Sequence, residues 1–249
     1  MIVTQVPITG CMQIKKTEKI LNSFKGKCCL VTGGTGMIGR QIVKILCNAG
    51  SKVKVVSLDD IIVDVRAEHV NADLTDLCVC KKVTNEMDYV FHIAGIKGSI
   101  EVTKSKPASF FVPLLMLNTN VLEASRRNNI KKLVYTSSIG AYSSSEIFNE
   151  IKNREGPPMD MYPGWAKRMA EMQIQAYQTQ YGLENYSVVR PCNVYGPGDN
   201  FNPENAKPVT VKAGGITLHH VRILHGSKPN RSDTPRRMLF VGFCATDAW

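Results

Sequence analysis

Short apolar runs bounded by turn residues recur along the chain, and amphipathic stretches lie between them. Cys28 to Val31 is an unbroken apolar run of strand length. Gln41-Ile42-Val43-Lys44-Ile45-Leu46 then places its apolar residues at the three- and four-residue spacing of a helix packed on one face. After the break at Gly50-Ser51, Lys52 to Asp60 reads as a second strand that ends in acid. His69 to Asp76 is a polar stretch, and Asp88 to Gly95 is a buried strand running into small residues. Phe110 to Asn129 is helix-like, with Leu114, Leu117, Val121, Leu122 and Ala124 on one side and a basic, polar stop at Arg126 to Asn129. Ile130 to Ser138 follows as a strand closing on hydroxyl residues, and Tyr186 to Arg190 as another. Strands alternating with helices in this way predict an α/β fold built on a doubly wound parallel sheet.

The candidate chemistry begins between the first strand and the first helix, at Thr32-Gly33-Gly34-Thr35-Gly36-Met37-Ile38-Gly39. A helix N-terminus offers unpaired N–H groups and the positive end of a dipole, but a pyrophosphate reaches them only where nearby residues lack Cβ. Gly33, Gly36 and Gly39 supply that clearance, and with Met37 and Ile38 they are candidate cofactor-binding residues. The spacing differs from the commonest Gly-x-Gly-x-x-Gly fingerprint, so the turn alone is compatible with a plain glycine-rich loop. A carboxylate about 20 residues past such a turn can accept hydrogen bonds from the adenosine ribose and would repel a 2′-phosphate. Asp59 therefore argues for NAD over NADP, with Asp60 next door leaving the register open. Asp73 and Leu74 are placed against an adenine ring, and Ala94 and Gly95 end a strand where a ligand approaches an open parallel sheet. His92 reads as a packed core histidine, having no Cys, Asp or Glu at ligand spacing.

Composition changes this picture little. The chain has 249 residues and a formal charge of +10. Most of that charge sits at the ends, since Met1 to Lys27 carries five lysines against one glutamate, and Lys207 to Trp249 seven Lys or Arg against two aspartates. No aromatic-interleaved basic stripe accompanies it, so nucleic acid is not the expected partner. The 8 cysteines form no Cys-x-x-Cys pair, as suits a reducing compartment. No apolar window approaches the roughly 18 residues that span a bilayer, and no signal-peptide pattern opens the chain. The expectation is a cytoplasmic protein without a membrane partner.

From about Cys28 to Ala206 the chain resembles the extended short-chain dehydrogenase/reductase family, and within it the nucleotide-sugar epimerases, dehydratases and reductases. The resemblance rests on Thr32-Gly33-x-x-Gly36-x-x-Gly39, Asp59, Asp73-Leu74, His92-Ile93-Ala94-Gly95, Ser137-Ser138-x-x-x-Tyr142 and Arg190-Pro191-Cys192-Asn193-Val194-Tyr195-Gly196-Pro197. Gly95-Ile96-Lys97-Gly98, Phe110-Phe111 and Asn118 look most like GDP-fucose synthase relatives. The resemblance implies a Rossmann-like domain, NAD as cofactor, a nucleotide sugar as substrate and Lys97 among the cofactor contacts. It also implies a homodimer formed through a helix bundle.

It further implies hydride transfer assisted by a Ser, a Tyr and a Lys. Tyrosine exchanges a proton with the sugar, a nearby ammonium lowers its pKa, and the serine orients the reacting oxygen. Ser138 takes the serine role, with Ser137 as the neighbouring alternative, and Asn193 contacts the substrate's diphosphate or sugar. The catalytic tyrosine and lysine are Tyr162 and Lys167, which also touch the cofactor. Their spacing departs from the family's four residues: Tyr162 precedes Lys167 by five, and Pro163 stands in between. Five residues turn a helix by about 140° net, so a helical pair would not share a face. Proline is favoured at the first helical position, which would leave Tyr162 just before the helix. A working pair and an inactive dinucleotide-binding relative both remain open.

The ends follow other patterns. Residues 1–27 form a basic leader in which Ile14 to Phe24 suits a short amphipathic helix, docked or mobile. Residues 207–249 resemble the C-terminal end of phytanoyl-CoA dioxygenase-type oxygenases, a short β-rich appendage in which His225 would be an iron ligand and Arg236 a 2-oxoglutarate partner. The facial triad also needs a His-x-Asp motif, and no histidine here is followed two residues later by Asp or Glu. No metal is therefore expected. The tail reads as an oxygenase-like fragment of a fusion or of a misjoined reading frame.

Overall fold

The computed structural model describes residues 18–96, 100–144, 155–191 and 194, with the side chains of 100–102 excepted. Lys97, Asn193, residues 1–17 of the leader and the whole of 207–249, including His225 and Arg236, lie outside the described residues. All described residues fall in one compact unit, Met1–Asp199.

Among the described residues six strands form one sheet: β1 (Cys28–Thr32), β2 (Lys52–Ser57), β3 (Glu68–Asn71), β4 (Tyr89–His92), β5 (Lys132–Thr136) and β6 (Tyr186–Val189). Five helices connect them: α1 (Met37–Asn48), α2 (Leu77–Thr84), α3 (Ile100–Ser105), α4 (Ala108–Arg127) and α5 (Met161–Tyr181). The strand order is β3-β2-β1-β4-β5-β6 and every pairing is parallel. This is the predicted doubly wound sheet, and the winding reverses between β1 and β4. Open sheets of this kind bind ligands at the carboxyl ends of the strands flanking that reversal.

Parallel strands are covered on both faces and so read as continuous apolar runs, as Cys29, Leu30 and Val31 do at 0% exposure. On one face Leu30, Val56, Val90, Leu133 and Tyr135 pack against Val83 of α2, Leu114, Leu117 and Val121 of α4, and Ala166, Ala170 and Ile174 of α5. On the other face Val31, Val53 and Val55 meet Val43 and Leu46 of α1. Phe24 joins this second layer, its ring 5.2 Å from that of Tyr89. The described part of the leader, from residue 18, is thus docked.

Three elements depart from the sequence-based expectation. The polar stretch at His69 contains β3, an edge strand paired through Lys54↔Glu68 to Ser57↔Asn71. Its four residues are partly or fully exposed, which removes the apolar signal of a strand. Helix α4 starts at Ala108 and holds Pro113 in its interior. Helix α5 starts at Met161 behind Asp160, so Tyr162 is inside the first turn and Pro163 is its third residue, not its first.

Candidate cofactor and catalytic site

The turn from β1 to α1 is shaped by backbone contact. Gly33 has φ +66°, and a Cβ there would stand 2.7 Å from Ala94 Cα. A Cβ on Gly39 would stand 2.3 Å from the Gly33 carbonyl oxygen and 2.6 Å from Gly34 Cα, so Gly39 lets α1 close onto the turn. Gly36 differs. It is the N-cap of α1, with φ −71° and ψ 169°, and the nearest atom to a Cβ there would be 3.3 Å away. No side chain caps this end, and the first amides of a helix have no intrahelical acceptor. Clearance above the helix end therefore belongs to Gly36, with Met37 and Ile38 beginning the helix, while Gly33 and Gly39 serve the fold of the turn.

Asp59 follows β2 and is exposed, and its Oδ2 accepts a 2.9 Å hydrogen bond from Thr35 Oγ1. Asp60 turns to β3, where its Oδ1 accepts from Asn71 Nδ2 at 2.9 Å. Of the two carboxylates, Asp59 is the one tied to the glycine turn. Asp73 is exposed and its Oδ1 accepts from Thr75 N at 2.8 Å. The Leu74 side chain is in the core at 6% exposure.

At the end of β4, Thr32 Oγ1 accepts from Ile93 N at 3.1 Å and Ala94 N at 3.2 Å, which fixes the backbone leading to exposed Gly95. The same hydroxyl lies 2.7 Å from His92 Nδ1, and His92 Nε2 lies 3.0 Å from Asn118 Oδ1. With the Thr32 hydroxyl donating to an unprotonated Nδ1, the ring is neutral and Nε2–H donates to Asn118 Oδ1. Burial, reinforced by the charge of Lys167, pushes the His92 pKa down to about 3. His92 is therefore a core histidine, as its surroundings in sequence suggested.

Ser137 and Ser138 separate in role. Ser137 Oγ, 3% exposed, donates to Glu171 Oε1 at 2.5 Å. Glu171 in turn pairs with Arg190, Oε2 to Nη2, at 2.5 Å, and Arg190 Nη1 donates to Tyr142 Oη at 3.2 Å. This largely buried network ties the loop after β5 to α5 and to the end of β6. Ser138 is partly exposed, and its Oγ accepts from Gly140 N at 3.1 Å at the start of a short 3-10 turn over Ile139–Ala141.

Lys167 points at the sheet. Its Nζ donates to the Thr136 carbonyl at 2.7 Å and lies 5.0 Å from the centre of the Tyr135 ring. Burial lowers its pKa to about 8, against the opposing charge of Glu171. Tyr162 is 40% exposed and its ring meets Phe111 of α4 edge-on, with centroids 5.9 Å apart. Among the described residues no hydrogen bond joins Tyr162 to Lys167, in keeping with their separation by five helical positions. An apolar groove of about 350 Å³ opens beside this edge, lined by Ile38, Ile93, Thr136 and Pro191 among others.

Sequence reasoning missed Thr35, Ser57 and Glu171. Thr35 sits inside the glycine motif as one of its variable positions. Ser57 is a polar residue closing an apolar strand, and Glu171 lies one helical turn after Lys167. No helix among the described residues is long and apolar enough to cross a membrane.

Residues 29–231 match the family model for the NAD dependent epimerase/dehydratase family. The chain is 31% identical over 191 residues to a probable GDP-L-fucose synthase of Drosophila melanogaster, an alignment covering 70% of this chain and 54% of that protein. Among solved structures it is similar to the UDP-glucose 4-epimerase of Thermotoga maritima with UDP-glucose. There the identity is 29% and the TM-score 0.61, with 69% of this chain and 57% of the other covered. A UDP-glucose 4-epimerase of Thermus thermophilus in complex with NAD matches at 27% identity and TM-score 0.60, covering 70% and 57%. The chain spans about half the length of the curated relatives it matches first, 54% and 56%.

Proposed function

The chain belongs to the NAD-dependent epimerase/dehydratase family, and on that premise we propose that it binds NAD and acts on a nucleotide sugar by hydride transfer. The observation that carries this reading is the amino end of α1. It has no side-chain cap, it begins at a glycine, Gly36, and the neighbouring Thr35 is bonded to the Asp59 carboxylate at the end of β2. Such an end suits a pyrophosphate, and the carboxylate suits an unphosphorylated ribose. Bound NAD would supply the hydride acceptor and donor. The chain's own residues bind and move protons: Lys167 offers an ammonium beside the Thr136 carbonyl, Ser138 offers a hydroxyl, and Tyr162 is the proton-exchanging phenol. Lys97 and Asn193 belong to the proposed cofactor and substrate contacts by resemblance.

A second reading, a dinucleotide-binding module without turnover, is favoured by the exposed Tyr162 set against Phe111 and away from Lys167. Turnover separates the two. The purified chain with NAD is given UDP-glucose and a GDP-linked hexose, and product sugars are resolved by chromatography. Conversion that Tyr162→Phe abolishes, with NAD affinity within about twofold of the parent, is expected for the enzyme. Conversion that persists in the variant removes Tyr162 from the chemistry. NAD binding without conversion of either sugar nucleotide supports the module.

A homodimer is part of the same proposal. Val112 and Met116 on α4 and Met169 and Met172 on α5 are each at least 45% exposed, and these helices pack side by side. No charged residue lies between Ala108 and Leu122 on α4 or after Glu171 on α5. Two such faces can bury each other.

A further inference from the structure

Thr35 stands between two glycines of the turn and is 8% exposed. Its hydroxyl lies 3.0 Å from Ser57 Oγ and 2.9 Å from Asp59 Oδ2. A hydroxyl has one proton, and a charged acceptor makes the stronger bond. The Thr35 proton therefore goes to Asp59, and the Ser57 hydroxyl, which accepts from Thr35 N at 3.4 Å, donates to Thr35 Oγ1. From the other side, Arg40 Nε and Nη2 donate to the Thr35 carbonyl at 3.2 and 2.5 Å, pinning the residue to the first turn of α1. A chain of bonds thus runs from the end of β2 through the glycine turn to the Asp59 carboxylate.

The other carboxylate oxygen accepts from Ile61 N at 3.2 Å. Each oxygen has two lone pairs, so each keeps one, and Asp59 is exposed. Asp60 cannot stand in, because it is bonded to Asn71 on the far side. An exposed aspartate without such ties rotates about two bonds, and would swing away from a cofactor phosphate at little cost.

Resting on the NAD reading above, we infer that Thr35, backed by Ser57, determines the selectivity for NAD over NADP by holding the Asp59 carboxylate in one orientation. The charge on Asp59 discriminates against a 2′-phosphate, and Thr35 makes that charge directional. Thr35 is a positioning residue and need not touch the cofactor.

The test is calorimetric titration of the full chain with NAD and with NADP, for the parent, Thr35→Val, Thr35→Ser, Asp59→Asn and the Thr35→Val/Asp59→Asn double variant. Valine keeps the buried shape of threonine and removes the hydroxyl, both the donor to Asp59 and the acceptor for the Ser57 hydroxyl. The parent should prefer NAD. Thr35→Val should lose about tenfold in NAD affinity, with NADP affinity unchanged or raised, and Thr35→Ser should keep the parental preference. In the Asp59→Asn background Thr35→Val should add nothing, because there is no charge left to direct. Equal losses for NAD and NADP, or a tenfold loss that survives Asp59→Asn, would mean that Thr35 acts by shaping the turn, and the inference falls. A parent that prefers NAD and a Thr35→Val variant with the same preference overturns the inference alone. A parent that binds neither nucleotide overturns the NAD reading and the inference with it.

Discussion

The three motif glycines do different work, and two alanine substitutions separate it. At Gly39, the new Cβ would stand 2.3 Å from the Gly33 carbonyl oxygen and 2.6 Å from Gly34 Cα. Both neighbours are backbone, so no side chain can rotate away and α1 must back off the turn by roughly 1 Å to restore contact distance. Overpacking of this kind costs about 1–3 kcal/mol, at the upper end when only backbone yields. Replacing a helical glycine by alanine returns about 1 kcal/mol, leaving a net loss of about 2 kcal/mol. At Gly36 φ is −71°, which alanine adopts freely, and a Cβ would meet only the Gly33 carbonyl oxygen at 3.3 Å, which a shift of a few tenths of an ångström relieves. Its poorer N-cap, about 0.5–1 kcal/mol, is offset by a stiffer unfolded chain, about 0.4–1 kcal/mol. Stability should therefore change by less than about 1 kcal/mol, while the methyl group covers the helix end and NAD affinity drops at least about tenfold. Urea unfolding of the cofactor-free variants, followed by circular dichroism, gives the first quantity, and NAD titration gives the second. Gly36→Ala with parental NAD affinity, or Gly39→Ala with a parental unfolding midpoint, would refute this division of labour.

The remaining expectations concern protons and assembly. His92 is held neutral with its pKa lowered to about 3, whereas the unfolded chain takes up that proton near pH 6.5. Between these values the unfolded state binds more protons, so stability falls as pH drops from 6.5 towards 3, by up to about 1.4 kcal/mol per pH unit from this one group. Urea midpoints measured across that range should fall less steeply in His92→Asn than in the parent, and parallel slopes would show that His92 is not the group responsible. For the dimer, Met116→Glu with Met172→Glu places charge on both exposed helix faces. The parent should sediment at twice the chain mass and the variant at the single mass, and a parent that sediments as a monomer removes the proposal.

The parts of the fold legible in the sequence are those where burial dictates residue type on both faces. β1, β2, β4 and β5 announce themselves because they are apolar runs largely buried in the sheet, and α4 does so through its buried stripe from Leu114 to Ala124. β3 is not legible because an edge strand only partly covered at its two central residues has no apolar pattern to show. The start of α5 departs from its expected place for a different reason. Proline is tolerated anywhere in the first turn, where the N–H it lacks has no intrahelical acceptor, so Pro163 marks the turn but not its first residue.

The site divides along the same line. Glycines, the strand-end acid and the hydroxyl-rich loop after β5 are chemistry carried by residue type at a fixed spacing, and they could be found one at a time. What holds them in place could not. The Ser57–Thr35–Asp59 chain joins residues 22 and 24 positions apart, and the Ser137–Glu171–Arg190 network joins residues 34 and 19 apart. Their partners become visible only when the parallel strands have brought the carboxyl ends together. Lys167 shows how far this reaches. Its type and place in the motif suggest a lysine that tunes a tyrosine, yet its ammonium sits on the Thr136 carbonyl and over the Tyr135 ring. The tyrosine that sequence assigns to it is instead half-exposed against Phe111 on the neighbouring helix. Under the proposed function, turnover of a nucleotide sugar requires Tyr162 to reach the reacting oxygen from a helical position that does not share the lysine's face.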